Sequence, residues 1–150
     1  MPMWVPGIYG TTYDPRTKDY PLVILTTESR FRTHSAYFNN PLLNGDCYRH
    51  ACWISVVDAN ARGIADGDLV RVYSNRGEMV IEAYVTSTIA PGVVAVHHGG
   101  WYMANSTKTS LNPDGVDRGG APNIILENVE PDLMTVGPSL DKGVCQVEKY

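Results

Sequence analysis

Trp53-Ile54-Ser55-Val56-Val57-Asp58-Ala59-Asn60-Ala61-Arg62-Gly63 leads into Asp66-Gly67-Asp68-Leu69-Val70-Arg71-Val72-Tyr73 and then Ser74-Asn75-Arg76-Gly77-Glu78. This stretch decides the fold. Trp53 to Val57 is a run of aromatic and β-branched residues, which pack well on a pleated surface, so it predicts a strand. Asp58 is a good helix cap and predicts a short helix, Ala59-Asn60-Ala61-Arg62. Gly63 ends it in the left-handed conformation that glycine tolerates. Asp66-Gly67-Asp68 reads as a turn, and Leu69, Val70, Val72 and Tyr73 as a second strand. Asn75-Arg76-Gly77-Glu78 is a hairpin turn that sends Met79-Val80-Ile81-Glu82-Ala83-Tyr84-Val85 back as a third.

The same grammar continues on both sides. Upstream, Tyr20-Pro21 opens the apolar run Leu22-Val23-Ile24-Leu25, which has the length and composition of a buried strand. Residues 1–20 hold Pro2, Pro6, Gly7, Gly10 and Pro15 without a sustained period. They read as an extended arm or linker ahead of a domain over residues 21–150. The polar segment 26–35 is a loop or a short helical turn. Downstream, Ala90-Pro91-Gly92 is a turn, and Val93-Val94-Ala95-Val96 a strand. Residues 97–122 are rich in Gly, Asn, Ser, Thr and Asp, the composition of a long functional loop. Asn123-Ile124-Ile125-Leu126 and Val144-Cys145-Gln146-Val147 read as the last short strands. Many short strands with one or two brief helices predict a mainly-β domain, a closed or nearly closed barrel.

Composition excludes several classes. The chain has 150 residues, 43% hydrophobic and 19% charged, enough for a single core. A net charge of -4 argues against nucleic-acid binding, which needs a basic surface to displace counterions. No apolar run reaches the ~20 residues that cross a bilayer, so no direct membrane insertion is expected. The first residues show no basic region or apolar signal core. Cys47, Cys52 and Cys145 form no CxxC pair, and the odd number argues against a disulfide framework; they read as isolated thiols.

Residues 53–78, as quoted, resemble the molybdopterin-dinucleotide-binding domain that ends catalytic subunits of the dimethyl sulfoxide reductase family. Upstream, Glu28-Ser29-Arg30-Phe31-Arg32-Thr33-His34-Ser35 is similar to the cofactor segment of that family, most of all to the anaerobic dimethyl sulfoxide reductase catalytic subunit. Pro91-Gly92-Val93-Val94-Ala95, Gly100-Trp101-Tyr102, Asp117-Arg118-Gly119-Gly120-Ala121-Pro122-Asn123 and Val144-Cys145-Gln146-Val147-Glu148-Lys149 follow in the family's order. Each piece alone is common; the ordered set is specific and covers residues 20–150. The resemblance implies a six-stranded double-psi β-barrel. It implies part of a molybdenum bis(molybdopterin guanine dinucleotide), bound jointly with domains absent from this chain. The parent would be an oxidoreductase of anaerobic respiration, an S-oxide or N-oxide reductase, with this chain inactive alone. It further implies an iron–sulfur electron-transfer subunit, a membrane anchor subunit and a periplasmic or cell-envelope location. The rival reading is a stand-alone double-psi barrel serving as a protein-interaction module.

Arg30, Arg32, Thr33, His34 and Ser35, with Thr27, Glu28 and Ser29 before them, form a dense donor cluster beyond a buried strand. Guanidinium forks and hydroxyls suit the oxygens of a pyrophosphate. Without the resemblance the segment reads as a solvated polar loop, and His34 as a structural histidine. Trp101 follows Gly99-Gly100, where a missing side chain permits close approach; the family's aromatic near the cofactor falls there, although a cover for one barrel end reads equally well. Asn123 would donate and accept at the amide-like edge of a pterin, against the plainer reading of a strand-start residue. Lys142 and Gln146 fall where the family's terminal segment meets the dinucleotide. His97 and His98 are adjacent on an extended segment, so they point apart and do not share one ion. No catalytic residue and no metal ligand is assigned.

Overall fold

The computed structural model describes residues 13–43, 49–126 and 143–150. Six strands appear in it: β1 (Leu22–Leu25), β2 (Cys52–Ser55), β3 (Leu69–Tyr73), β4 (Glu78–Thr86), β5 (Val93–Val96) and β6 (Gly143–Lys149). Helix α1 (Val56–Ala61) follows β2, and single 3-10 turns stand at Pro15–Lys18 and Pro122–Ile124. The strands close in the order β1-β5-β2-β4-β3-β6, so every strand has two neighbours and none is left as an edge. Pairs β1/β5 and β2/β4 are parallel, and the other four are antiparallel. This is the expected six-stranded double-psi β-barrel.

The period-2 pattern of the sequence supplies the core. Leu22 and Ile24, Cys52 and Ile54, Val70 and Val72, Met79 and Ile81, Val94 and Val96, and Cys145 and Val147 all point inward and join one buried cluster. Burial of Cys52 pushes its thiol up to about 12, and burial also raises Cys145 well above the ordinary range. Both are inert core thiols. Cys47 lies outside the described residues.

Three local expectations change. The helix after β2 begins at Val56, and its cap is Ser55 rather than Asp58. Ser55 Oγ accepts the amide of Asp58 at 3.0 Å and donates to the Asp58 carboxylate at 2.6 Å. Ser55 thus makes the N-cap half of a capping box, while the Asp58 carboxylate takes the Ser55 hydroxyl in place of the Ser55 amide. Val57 is accordingly 62% exposed, on a helix rather than in a strand. Second, residues 123–126 form no strand. Pro122 starts a 3-10 turn there, and the barrel already closes through six other strands. Third, the described part of the 1–20 segment carries the turn Pro15–Lys18, capped by the buried Asp14. Proline at the first position of a turn supplies the right φ and lacks only an amide that would be unpaired.

Candidate cofactor-binding rim

Strand direction builds the site. Because β1 and β5 run parallel, with Leu25 opposite Ala95, both leave the barrel at the same end. Strand β2 is antiparallel to β5, with Cys52 opposite Val96, so it enters at that end. The segments after Leu25 and after Val96 and the segment before Cys52 therefore meet on one rim. The amide of His98 donates to the Thr27 carbonyl at 3.0 Å. Thr27 Oγ1 lies 2.9 Å from Nδ1 of His97.

Arg32 clasps these segments together. Its Nη1 donates to the carbonyls of His34 (2.8 Å) and Gly99 (2.7 Å), and its Nη2 to that of His98 (3.0 Å). The side chain stacks over Phe38 at 5.1 Å, and the residue is only 7% exposed. Arg32, expected beside Arg30 as an exposed loop charge, is instead buried, with its forks on main-chain carbonyls inside the rim. Gly99 makes the clasp possible. It sits at φ 81°, and a Cβ there would collide with the His34 carbonyl.

His50 was not singled out by its sequence position, yet it is central. Its Nδ1 lies 3.2 Å from Arg32 Nη2, and its Nε2 lies 2.8 Å from the Gly120 carbonyl. A guanidinium only donates, so Nδ1 accepts and Nε2–H donates to Gly120. The Arg32 contact requires a neutral ring, since a protonated Nδ1 could not accept. Burial pushes its pKa down to about 4; the Arg32 charge adds to this, against the opposing pull of the Gly120 carbonyl. Burial likewise lowers His97. The partners of His50 are distant in sequence, so no local motif marks it.

Asp117 organises the long loop. It is fully buried, and its carboxylate accepts the amides of Met103 (2.7 Å), Gly119 (2.9 Å) and Ala121 (2.7 Å). It is the node that sets the course of residues 103–121. Beside it, a Cβ on Gly119 would strike the Trp101 carbonyl. Trp101 Nε1 donates to the Ser35 carbonyl at 3.0 Å, and the indole packs on Phe38 at 5.9 Å.

The other expected site residues separate in the structure. Thr27, Glu28, Arg30, Thr33, His34, Ser35 and Trp101 are brought together, exposed, on the rim. Asn123 is exposed just beyond Gly120, in the 3-10 turn. Two others turn away: Ser29 is buried and accepts the Phe31 amide at 3.2 Å, and Gln146 sits in the wall of β6, contacted by Arg62 at 3.4 Å. Lys142 lies outside the described residues. His97 and His98 part as expected, one toward Thr27 and the other toward His34, whose Nδ1 is 3.1 Å from His98 Nε2. The exposed set of hydroxyls, one guanidinium, one carboxylate, one imidazole and an indole face fits a phosphate-bearing heteroaromatic ligand.

Fold and rim together define a ligand-binding β-barrel, and comparison with known proteins says which kind. Residues 22–145 match the family described as "Molydopterin dinucleotide binding domain". The chain belongs to that family. It is 40% identical over 149 residues to the "Probable dimethyl sulfoxide reductase chain YnfF" of Escherichia coli, and 38% identical over the same length to "Dimethyl sulfoxide reductase DmsA" of that organism. With "Trimethylamine-N-oxide reductase 1" of Escherichia coli it shares 30% over 152 residues. Each alignment takes in 99% of this chain but only 17–18% of the relative, so the chain spans under a fifth of their length. Among solved structures, acetylene hydratase from Pelobacter acetylenicus superposes with a TM-score of 0.76 at 16% identity, over 100% of this chain and 21% of that one. That likeness shows the fold.

Proposed function

We propose that this chain is the cofactor-binding domain of a larger molybdenum oxidoreductase, and that its rim holds part of molybdenum bis(molybdopterin guanine dinucleotide). The observation that carries this reading is the exposed donor face of residues 27–35 and Trp101, mounted on the buried Arg32 clasp. Arg30, Thr33 and Ser35 would donate to pyrophosphate oxygens. Trp101 offers a flat face to a heteroaromatic ring, and Asn123 a donor–acceptor pair to an amide-like edge. The bound group supplies oxygen-atom transfer; the chain supplies position and charge. The names of the relatives support an S-oxide or N-oxide as the parent's substrate. Only resemblance supports an iron–sulfur subunit, a membrane anchor and a cell-envelope location.

The experiment substitutes Arg30→Ala, alone and with Thr33→Ala, in the full-length parent enzyme. A charge-assisted contact contributes about 1.5–3 kcal/mol, so cofactor affinity should fall roughly ten- to a hundredfold. Molybdenum and guanine content per purified protein reads the effect. Unchanged content in both variants would leave the rim as a solvated face and favour an interaction module.

A further inference from the structure

We propose that Glu28, His34 and His98 form a three-ligand site for a divalent transition-metal ion of the zinc type. One ligand atom from each lies within 4.8 Å of the others. His34 Nδ1 and His98 Nε2 stand 3.1 Å apart. Two imidazoles on a tetrahedral zinc, each at ~2.0–2.1 Å, place their nitrogens roughly 3.3 Å apart. Closing on an ion therefore asks the rings to separate slightly rather than to travel, and the Glu28 carboxylate completes the third position. A direct ring–ring hydrogen bond is the alternative, and it leaves that carboxylate unused.

The frame behind the ligands is set before any ion arrives. Arg32 holds the carbonyls of both His34 and His98, at 2.8 and 3.0 Å. The His98 amide is fixed to the carbonyl of Thr27, the residue before Glu28, at 3.0 Å. All three backbones are thus tied to one another, so binding orders little beyond the Glu28 side chain. His34 also sits at φ 49°, a left-handed conformation uncommon outside glycine. Such residues persist where the surroundings over-determine them, and they cluster at ligand clamps. Two imidazoles and one carboxylate select zinc-like ions over magnesium or calcium, which prefer all-oxygen shells. Glu28 and His34 are exposed, so a fourth position stays open to water or an incoming ligand. His97 faces Thr27 and serves as the internal control.

The test uses this chain, stripped of metal and free of cofactor, so its outcome is independent of molybdenum retention in the parent enzyme. Zinc chloride and magnesium chloride are titrated calorimetrically into the wild type, His34→Asn, His98→Gln, the double variant and His97→Gln. Asparagine tolerates the left-handed backbone of position 34, and circular dichroism confirms that each variant is folded. A single zinc ion should bind with Kd of about 1 μM, and magnesium should not compete. Removal of an outer-shell partner costs ~10–100-fold in metal affinity, so loss of a ligand should cost at least tenfold, with His97→Gln unchanged. No zinc binding by the wild type, or an unchanged Kd in the double variant, overturns the proposal.

Discussion

The guanidinium of Arg32 and the imidazole of His50 lie 3.2 Å apart inside the rim, a fixed cation against a ring that must stay neutral. Protonating the ring would set two cations against each other and cost it the acceptor role.

Stability should therefore depend on pH through His50. Its proton binds near pH 4 in the folded chain and near 6.5 in the unfolded one, so the unfolded state carries more protons in between. Stability is then complete above about pH 6.5 and falls on acidification toward pH 4, by roughly 3 kcal/mol at most. His97, also lowered, acts in the same direction. Asp66, held down by the Val85 amide, and Asp68, held down by Lys149, add their losses only below 3.8. Melting temperature across this range reads the effect, and His50→Gln should flatten it. A level wild-type profile between pH 4 and 6.5 would contradict the arrangement.

The two rim arginines should separate cleanly. Arg32→Ala removes donors from three carbonyls at a buried position and should cost about 2–4 kcal/mol. Arg30→Ala, at an exposed position, should shift stability by under about 0.5 kcal/mol. Urea unfolding of both variants makes the comparison. Equal effects would mean that the clasp contributes nothing.

Ser55→Ala should cost about 1–2 kcal/mol by uncapping α1. Asp58→Ala should also destabilise, because the carboxylate takes the Gly92 amide at 2.8 Å as well as the Ser55 hydroxyl. In chemical denaturation the double variant should lose less than the sum of the singles, since the two side chains share one bond. Strict additivity would argue against the shared cap.

Asp117→Ala leaves three main-chain donors without their acceptor and should cost about 3 kcal/mol or more. The loss should concentrate in the long loop, so limited proteolysis should cut within residues 97–122 well before the barrel core. Cleavage at the wild-type rate would show that the loop holds its course by other means.

The barrel was legible because each strand repeats apolar residues at every second position, as Val70 and Val72 or Met79 and Ile81 do. The exposed half of the rim was legible from its resemblance and from the density of donors. Its buried half was not. Arg32 and Arg30 look alike in sequence, and only the return of residues 97–99 beneath the loop makes one a clasp and the other a solvent-facing donor. His50 lies in none of the quoted motifs, and Asp117, although inside the stretch 117–123, acts on main-chain amides, which every residue possesses. Ser55 was missed because Val56 and Val57 continue a β-branched run, and a side-chain cap outweighs that propensity.

The joining of β1 and β5 as parallel neighbours has a kinetic consequence. Arg32 meets Gly99 across 67 residues of chain, and His50 meets Gly120 across 70. Loops of that length must close before either contact gives any return, so the barrel should fold slowly for its size, with the rim among its latest parts. A nascent or partly unfolded chain would then have no half-built grip on a ligand. Capture waits for completion, and a bound ligand marks a chain that has finished folding.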